Sequence, residues 1–314
     1  MNAGELAHYR SFVTQFEQRP EWVPFLRNLK SDEVNNHPEL ANLSAKLLTW
    51  AELYLGANYR SALAEGYVAF VTDVNRSQLK YEMKGSYQNK SYSDVFKAVY
   101  DNKEFMKYYH WGVYVTTFAW PHHLEIYRFF RERFLLPYVV TTKANRMVDL
   151  GCGSGLWSLL TLERMNGMSV DAVDISETSS RFAAEMAACV GMSGRFRTHR
   201  ADALSWGEEK GGQFDAAISC FLLEHLETPD KLLNNLSRLL KPRAVAFVTG
   251  ALTAAEVDHI KEFKRESELV EMAENAGFRV METMSASPKN YTITGKYLPR
   301  SMAMILSKRA GEIW

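Results

Sequence analysis

Cysteine is scarce in this chain, with only Cys152, Cys189 and Cys220 among 314 residues. The three show neither the paired spacing of a zinc site nor an even-numbered disulfide framework, so a reduced, cytoplasmic setting is expected. Long hydrophobic runs are missing too. No apolar stretch approaches the ~20 residues that span a bilayer, and the opening MNAGELAHYR has no apolar core of signal-peptide length. Nor is there an excess of one charge. Lys plus Arg and Asp plus Glu both number 37, for a net charge of zero. Strongly electrostatic nucleic-acid binders carry a basic excess, so neither a nucleic acid nor a membrane is expected as a partner. Internal repeats and low-complexity segments are absent. Apolar residues make up 46% and charged residues 24%, an ordinary balance that suits one large or two modest globular domains.

What the chain does have is concentrated at 146–160, RMVDLGCGSGLWSLL. A short apolar strand carries Asp149 into a loop with Gly151, Gly153 and Gly155, and a helical pattern opens at Leu156. Glycines between strand and helix let a ligand approach the backbone where a side chain would block it. The spacing is G-x-G-x-G rather than the G-x-G-x-x-G of dinucleotide binders. Asp149, expected to face the ligand, would repel a pyrophosphate and attract the ammonium of an amino-acid ligand.

From about residue 145 onward strands and helices alternate. Strands are expected at 146–150, 169–176, 196–202, 214–220, 244–250, 278–284 and 302–308. Helices are expected from Leu156, from the cap Ser176, from Thr228-Pro229 and at about 267–276. Alternation implies a doubly wound parallel sheet, and the last two strands, with no helix between them, imply an antiparallel addition. The first 144 residues read as mostly helical. One helix opens at Pro38. A second covers 93–109 with a restart capped by Asp101 and Glu104, and a third runs from Pro121 to just before Pro137. The aromatic-dense YYHWGVYVTTFAW lies between the last two, and Tyr87 and Tyr92 sit in a Gly/Ser/Asn-rich stretch suited to a lid. The expected organisation is a helical substrate-binding or lid region over 1–144 and a cofactor domain over 145–314.

The D-x-G-x-G-x-G run resembles motif I of the class I S-adenosylmethionine-dependent methyltransferases. The resemblance implies a Rossmann-like seven-stranded sheet whose last strand inserts antiparallel, S-adenosylmethionine as cofactor, and a cofactor site that can be followed along the chain. Asp149, Gly151, Gly153 and Gly155 would hold the methionine portion. Asp174, 21 positions beyond Gly153, stands near the spacing at which an acid meets a ribose, and a carboxylate can accept from both hydroxyls. Asp202 and Ala203 fall where this family receives the adenine amino group, with Ile175 or Leu204 covering the ring. The segment CFLLEHLETPD resembles the LEH segment of the ubiquinone and menaquinone methyltransferase type. It places Cys220 and Phe221 near the cofactor and Glu224 and His225 at the site's edge.

Methyl transfer from a sulfonium asks the protein mainly to align nucleophile, methyl and sulfur and to exclude water. A hydroxyl acceptor also needs a base. His122 and His123 are the base candidates, with Glu125 one helical turn on expected to orient His122; His225 is counted with them among the catalytic residues, helping to shape the site. No metal centre is expected: neither histidine has a ligand at i+4, and H-E-x-x-H is absent. These readings point to an enzyme that methylates a small-molecule acceptor of specialised metabolism, with oxygen favoured over nitrogen or carbon because of the two histidines. A protein, peptide or carrier-bound acceptor is the alternative within enzymes, and a non-catalytic scaffold the alternative outside them. A homodimer is the assembly considered.

Overall fold

The computed structural model describes residues 3–100, 102–289 and 297–310, with the side chains of 3–5 and 97–98 left aside. Strands β1 (Arg146–Leu150), β2 (Ser169–Asp174), β3 (Phe196–Arg200), β4 (Phe214–Ser219), β5 (Leu240–Leu252), β6 (Phe278–Ala286) and β7 (Arg300–Lys308) form one sheet in the order β3-β2-β1-β4-β5-β7-β6. The first five pair in parallel. β7 inserts antiparallel between β5 and β6. The chain reverses direction across the sheet between β1 and β4, and a doubly wound sheet opens a crevice at the carboxyl edge of such a point.

The strands alternate in what they bury, as a period of two requires. Met147, Ala172, Ile218 and Phe247 face one core, which is continuous with the helical N-terminal region. Val148, Val173, Ala217 and Val248 face the other, packed on helices in the second half of the chain. No apolar gap therefore separates the regions expected as 1–144 and 145–314. Phe247 marks the join, with ring centroids 5.0 Å from Phe130 and 5.6 Å from Phe134.

The N-terminal region is built on α1 (Ala3–Glu17), α2 (Leu40–Leu55), α3 (Tyr59–Lys84), α4 (Lys103–Ala119) and α5 (Pro121–Phe129). Several boundaries differ from the sequence reading. The aromatic-dense stretch is not a link between helices but most of α4. Its cap is Asn102, whose side chain accepts from Phe105 N at 3.0 Å; Asp101, the expected cap, lies outside the described residues. Pro137 does not stop the third helix, which continues beyond α5 as a π-helix over Phe130–Val140. Its turns widen to i→i+5 there, with Thr141 N donating to Leu136 O, and this gives the ring the space that an α-turn's carbonyl would occupy. In the second half, α6 (Leu156–Arg164), α7 (Glu177–Cys189), α8 (Pro229–Leu239) and α9 (Glu266–Asn275) fall where expected, and Ser176 caps α7 through Ser179 N. Strand β5 starts earlier than expected. Its pairing with β4 shifts between Leu240 and Val245, so Pro242 sits in a bulge where no ladder donor is needed. Among the described residues no helix is long and apolar enough to cross a membrane.

Candidate active site

The glycine loop closes on β2 through its backbone. Gly151 N and Cys152 N both donate to Val173 O, at 2.8 and 3.0 Å. Gly151 has φ +76°, and a Cβ there would stand 2.5 Å from a Leu222 methyl; Gly155 has φ +71°, and a Cβ would meet Phe196 at 2.9 Å. Both positions thus exclude side chains by strain and by space together. Gly153 N donates to Asp174 Oδ2 at 2.9 Å, and Ser176 N donates to Asp174 Oδ1 at 2.8 Å. One carboxylate therefore ties the loop to the start of α7. Two oxygens offer about four lone-pair sites, which leaves acceptor capacity for a diol. Burial raises the Asp174 carboxyl, and the two backbone donors and His225 offset only part of this.

These groups open onto a cavity of about 880 Å³ at the carboxyl edge of the sheet. The cavity brings together Gly151, Gly153, Asp174, Ile175, Asp202, Ala203, Cys220 and Phe221 from the expected cofactor set, and His122, His123 and His225 from the expected catalytic set. Two expected members are not on its wall. Asp149 is 3% exposed and accepts from Ser158 Oγ at 2.6 Å beneath the loop. Burial pushes its carboxyl up to about 7, against the pull of Ser158. Gly155 serves the packing of Phe196 and Ala183. Asp202 lies exposed at the rim and accepts from Leu204 N at 2.9 Å. Phe221 takes φ +53°, and its N–H donates to Thr249 Oγ1 at 2.8 Å. A bulky residue held in this region is strained, a condition that clusters at functional sites.

The helical region supplies the opposite wall. Tyr92 stacks on Tyr100, with centroids 6.0 Å apart. The proposed lid stretch is pinned rather than free: Tyr87 is 4% exposed and its hydroxyl donates to Ala254 O at 2.6 Å. His123 lies 5.3 Å from the Phe221 ring, and His122 stacks on Trp120. Burial holds His123 down to about 4 and, with the charge of its neighbour His123, holds His122 well below the ordinary range. Both imidazoles are therefore neutral at neutral pH. The expected partner of His122 is engaged elsewhere, because Glu125 bonds His37 Nε2 at 3.0 Å and Arg128 Nη2 at 2.5 Å. His122 Nδ1 is buried without a partner.

His225 differs in kind. Its Nδ1 stands 3.3 Å from Asp258 Oδ2, and the Tyr100 hydroxyl donates to the same oxygen at 3.1 Å. Burial lowers the imidazole, but the Asp258 carboxylate more than offsets this and raises it to about 10. A histidine that keeps its proton at neutral pH donates and does not serve as a base. Glu256, His259 and His110, also on the cavity wall, escaped the sequence reading. A histidine next to an acid after the fifth strand was the only available signal.

Residues 147–243 match the family described as a methyltransferase domain. A ubiquinone biosynthesis O-methyltransferase of Caulobacter vibrioides is 35% identical over 102 residues, 32% of this chain and 39% of that protein. One from Coxiella burnetii is 26% identical over 162 residues, 46% of this chain and 67% of that protein. The chain thus spans about two-fifths of the length of the Caulobacter relatives it matches. Among solved structures, the phosphoethanolamine N-methyltransferase 2 of Haemonchus contortus in complex with S-adenosyl-L-methionine aligns with a TM-score of 0.53 at 16% identity, covering 71% of this chain and 61% of that one. Strand order, glycine loop and family match agree over this part of the chain: residues 147–243 resemble a methyltransferase domain and lie in a seven-stranded sheet of the S-adenosylmethionine-dependent methyltransferase fold.

Proposed function

We propose that the chain transfers a methyl group from S-adenosylmethionine to a small-molecule acceptor in specialised, cytoplasmic metabolism, with an oxygen as the nucleophile. The observation that carries this reading is a cavity that runs from the Asp174 edge of the sheet to side chains of α3, α4 and α5. The glycine-loop backbone and Cys220 would hold the methionine end, Asp174 the ribose, and Asp202, Ala203 and Ile175 the adenine. Asp149 acts from below the loop and supplies negative charge once ionised. The cofactor, when bound, supplies an activated methyl on a positive sulfur. The protein's part is to align the acceptor, keep water out and accept one proton. His123, neutral and on the wall between the two ends, takes that proton from the acceptor hydroxyl, with His122 behind it. In this reading residues 1–144 enclose the acceptor and 145–314 hold the cofactor. The test is incubation with methyl-labelled cofactor and a host-cell extract, followed by separation of small molecules, protein and nucleic acid. Label in the small-molecule fraction is expected. Label in protein would replace the reading with a macromolecular acceptor, and bound cofactor with no label in any fraction would indicate a scaffold.

A further inference from the structure

The loop between β5 and α9 carries Glu256, Asp258 and His259 into the chamber side of the site, and the proposed transfer uses none of them. One ligand atom from each of the three lies within 4.8 Å of the others. Asp258 is 0% exposed. His225 and Tyr100 engage its Oδ2, and its Oδ1 is buried with no hydrogen-bond partner. His259 is 2% exposed, and its Nδ1 lies 2.7 Å from Ala254 O. A carbonyl only accepts, so Nδ1 carries the proton and Nε2 presents a lone pair. That lone pair faces Glu256 Oε2 at 3.9 Å. An imidazole nitrogen and oxygens of two carboxylates thus converge at one point.

The arrangement does not depend on its own members to stay in place. Gln78 of α3 donates to Thr253 O at 3.3 Å and accepts from Ala255 N at 2.8 Å. Asn89 donates to Val257 O at 2.7 Å. The N-terminal region therefore clamps the loop on both sides of Glu256, as a preformed ligand set requires. Glu256 and His259 reach the cavity wall, while Asp258 stays behind them.

We propose that Glu256, Asp258 and His259 bind a divalent first-row metal ion whose open positions face the acceptor chamber. Two carboxylates and one imidazole suit manganese, iron or zinc and disfavour soft ions. An ion there would bind and orient an oxygen-bearing acceptor, so the inference rests on the methyltransferase reading for its purpose but not for its test. The full chain, stripped with a chelator, is titrated with Mn2+ and with Zn2+ by calorimetry. One ion per chain is expected, with affinity at least tenfold weaker in Glu256→Gln and in His259→Gln. Asp258→Asn should lose binding as well. Because it also breaks the His225 pair, it is scored only if its circular dichroism matches wild type, and the other two variants carry the test. No binding to the unaltered chain overturns the proposal, as does unchanged affinity in Glu256→Gln and His259→Gln. Loss in Glu224→Gln with Glu256→Gln unaffected would move the ion to Glu224, His225 and His259 and overturn this assignment. S-adenosylmethionine binding is measured in the same samples. Its absence beside intact metal binding would break the methyltransferase reading and leave the metal site standing.

Discussion

The two walls of the cavity are made by different means. The cofactor edge is built from turns between consecutive elements, and its polar groups are satisfied by nearby backbone: Asp174 takes Gly153 N and Ser176 N. The chamber wall is built from side chains far apart in the chain, with His225 meeting Tyr100 across 125 residues and Gln78 meeting Ala255 across 177. Its polar groups are left partly unsatisfied, at His122 Nδ1, Glu224 Oε2 and Asp258 Oδ1. A buried polar atom without a partner costs about 1–3 kcal/mol. A fold that keeps several beside one chamber has spent stability where ligands would repay it. Substitutions on the two walls should therefore fail differently: the cofactor edge in affinity, the chamber in turnover.

The largest expected effect tests the chamber. His123→Ala should lower kcat by about 10²–10⁴-fold, the range for loss of a general base, with cofactor affinity close to wild type. A kcat within a few-fold of wild type would give His123 a packing role. Next comes the histidine that joins the walls. His110 on α4 is 4% exposed, with Nε2 3.0 Å from Ser179 Oγ, and it stacks on Phe182 of α7. Burial lowers it from 6.5 to about 4, with the Met106 backbone offsetting only part. The unfolded chain then binds the extra proton between these values, so stability is full above pH 6.5 and falls as pH drops toward 4. At 1.36 kcal/mol per pH unit, up to about 3 kcal/mol is at stake. Urea unfolding between pH 4 and 7 should show this slope, flattened in His110→Gln. An unchanged slope in the variant would remove His110 as its source.

On the other wall, Asp174→Ala should weaken S-adenosylmethionine binding by about 1–3 kcal/mol, the scale of hydrogen bonds to a charged group. Unchanged affinity by calorimetry would take Asp174 out of the cofactor site.

The same division decides what could be read from the sequence. The glycine loop, Asp174 and the seven strands announce themselves because each is a local pattern: alternation, a cap, a turn residue. The helix Tyr59–Lys84 does not, although it is among the chamber's main supports. Its buried face mixes Tyr59, Tyr67, Ser77 and Gln78 with a few aliphatics, so no clean apolar stripe marks it. The position of Asp149 immediately before the glycine loop suggests a place facing the ligand, but its carboxylate accepts from Ser158 beneath the loop. Glu125 was assigned to His122 from helical spacing alone, and His37, 88 residues away, took it. Contacts of that separation have no signature in one sequence.

The smallest effect concerns the joint between the regions. The Tyr54 hydroxyl of α2 donates to Glu185 Oε2 of α7 at 2.5 Å, and its ring lies 5.1 Å from Phe182. The hydrogen bond is exposed, so solvent competes with it, while the ring contact is apolar and survives removal of the hydroxyl. Tyr54→Phe should therefore cost only about 0.5–1 kcal/mol in urea unfolding, and Tyr54→Ala clearly more. Similar losses in the two variants would make the hydrogen bond, rather than the shared aromatic core, the main tie across the joint. The two walls would then be held together by a contact that solvent can loosen.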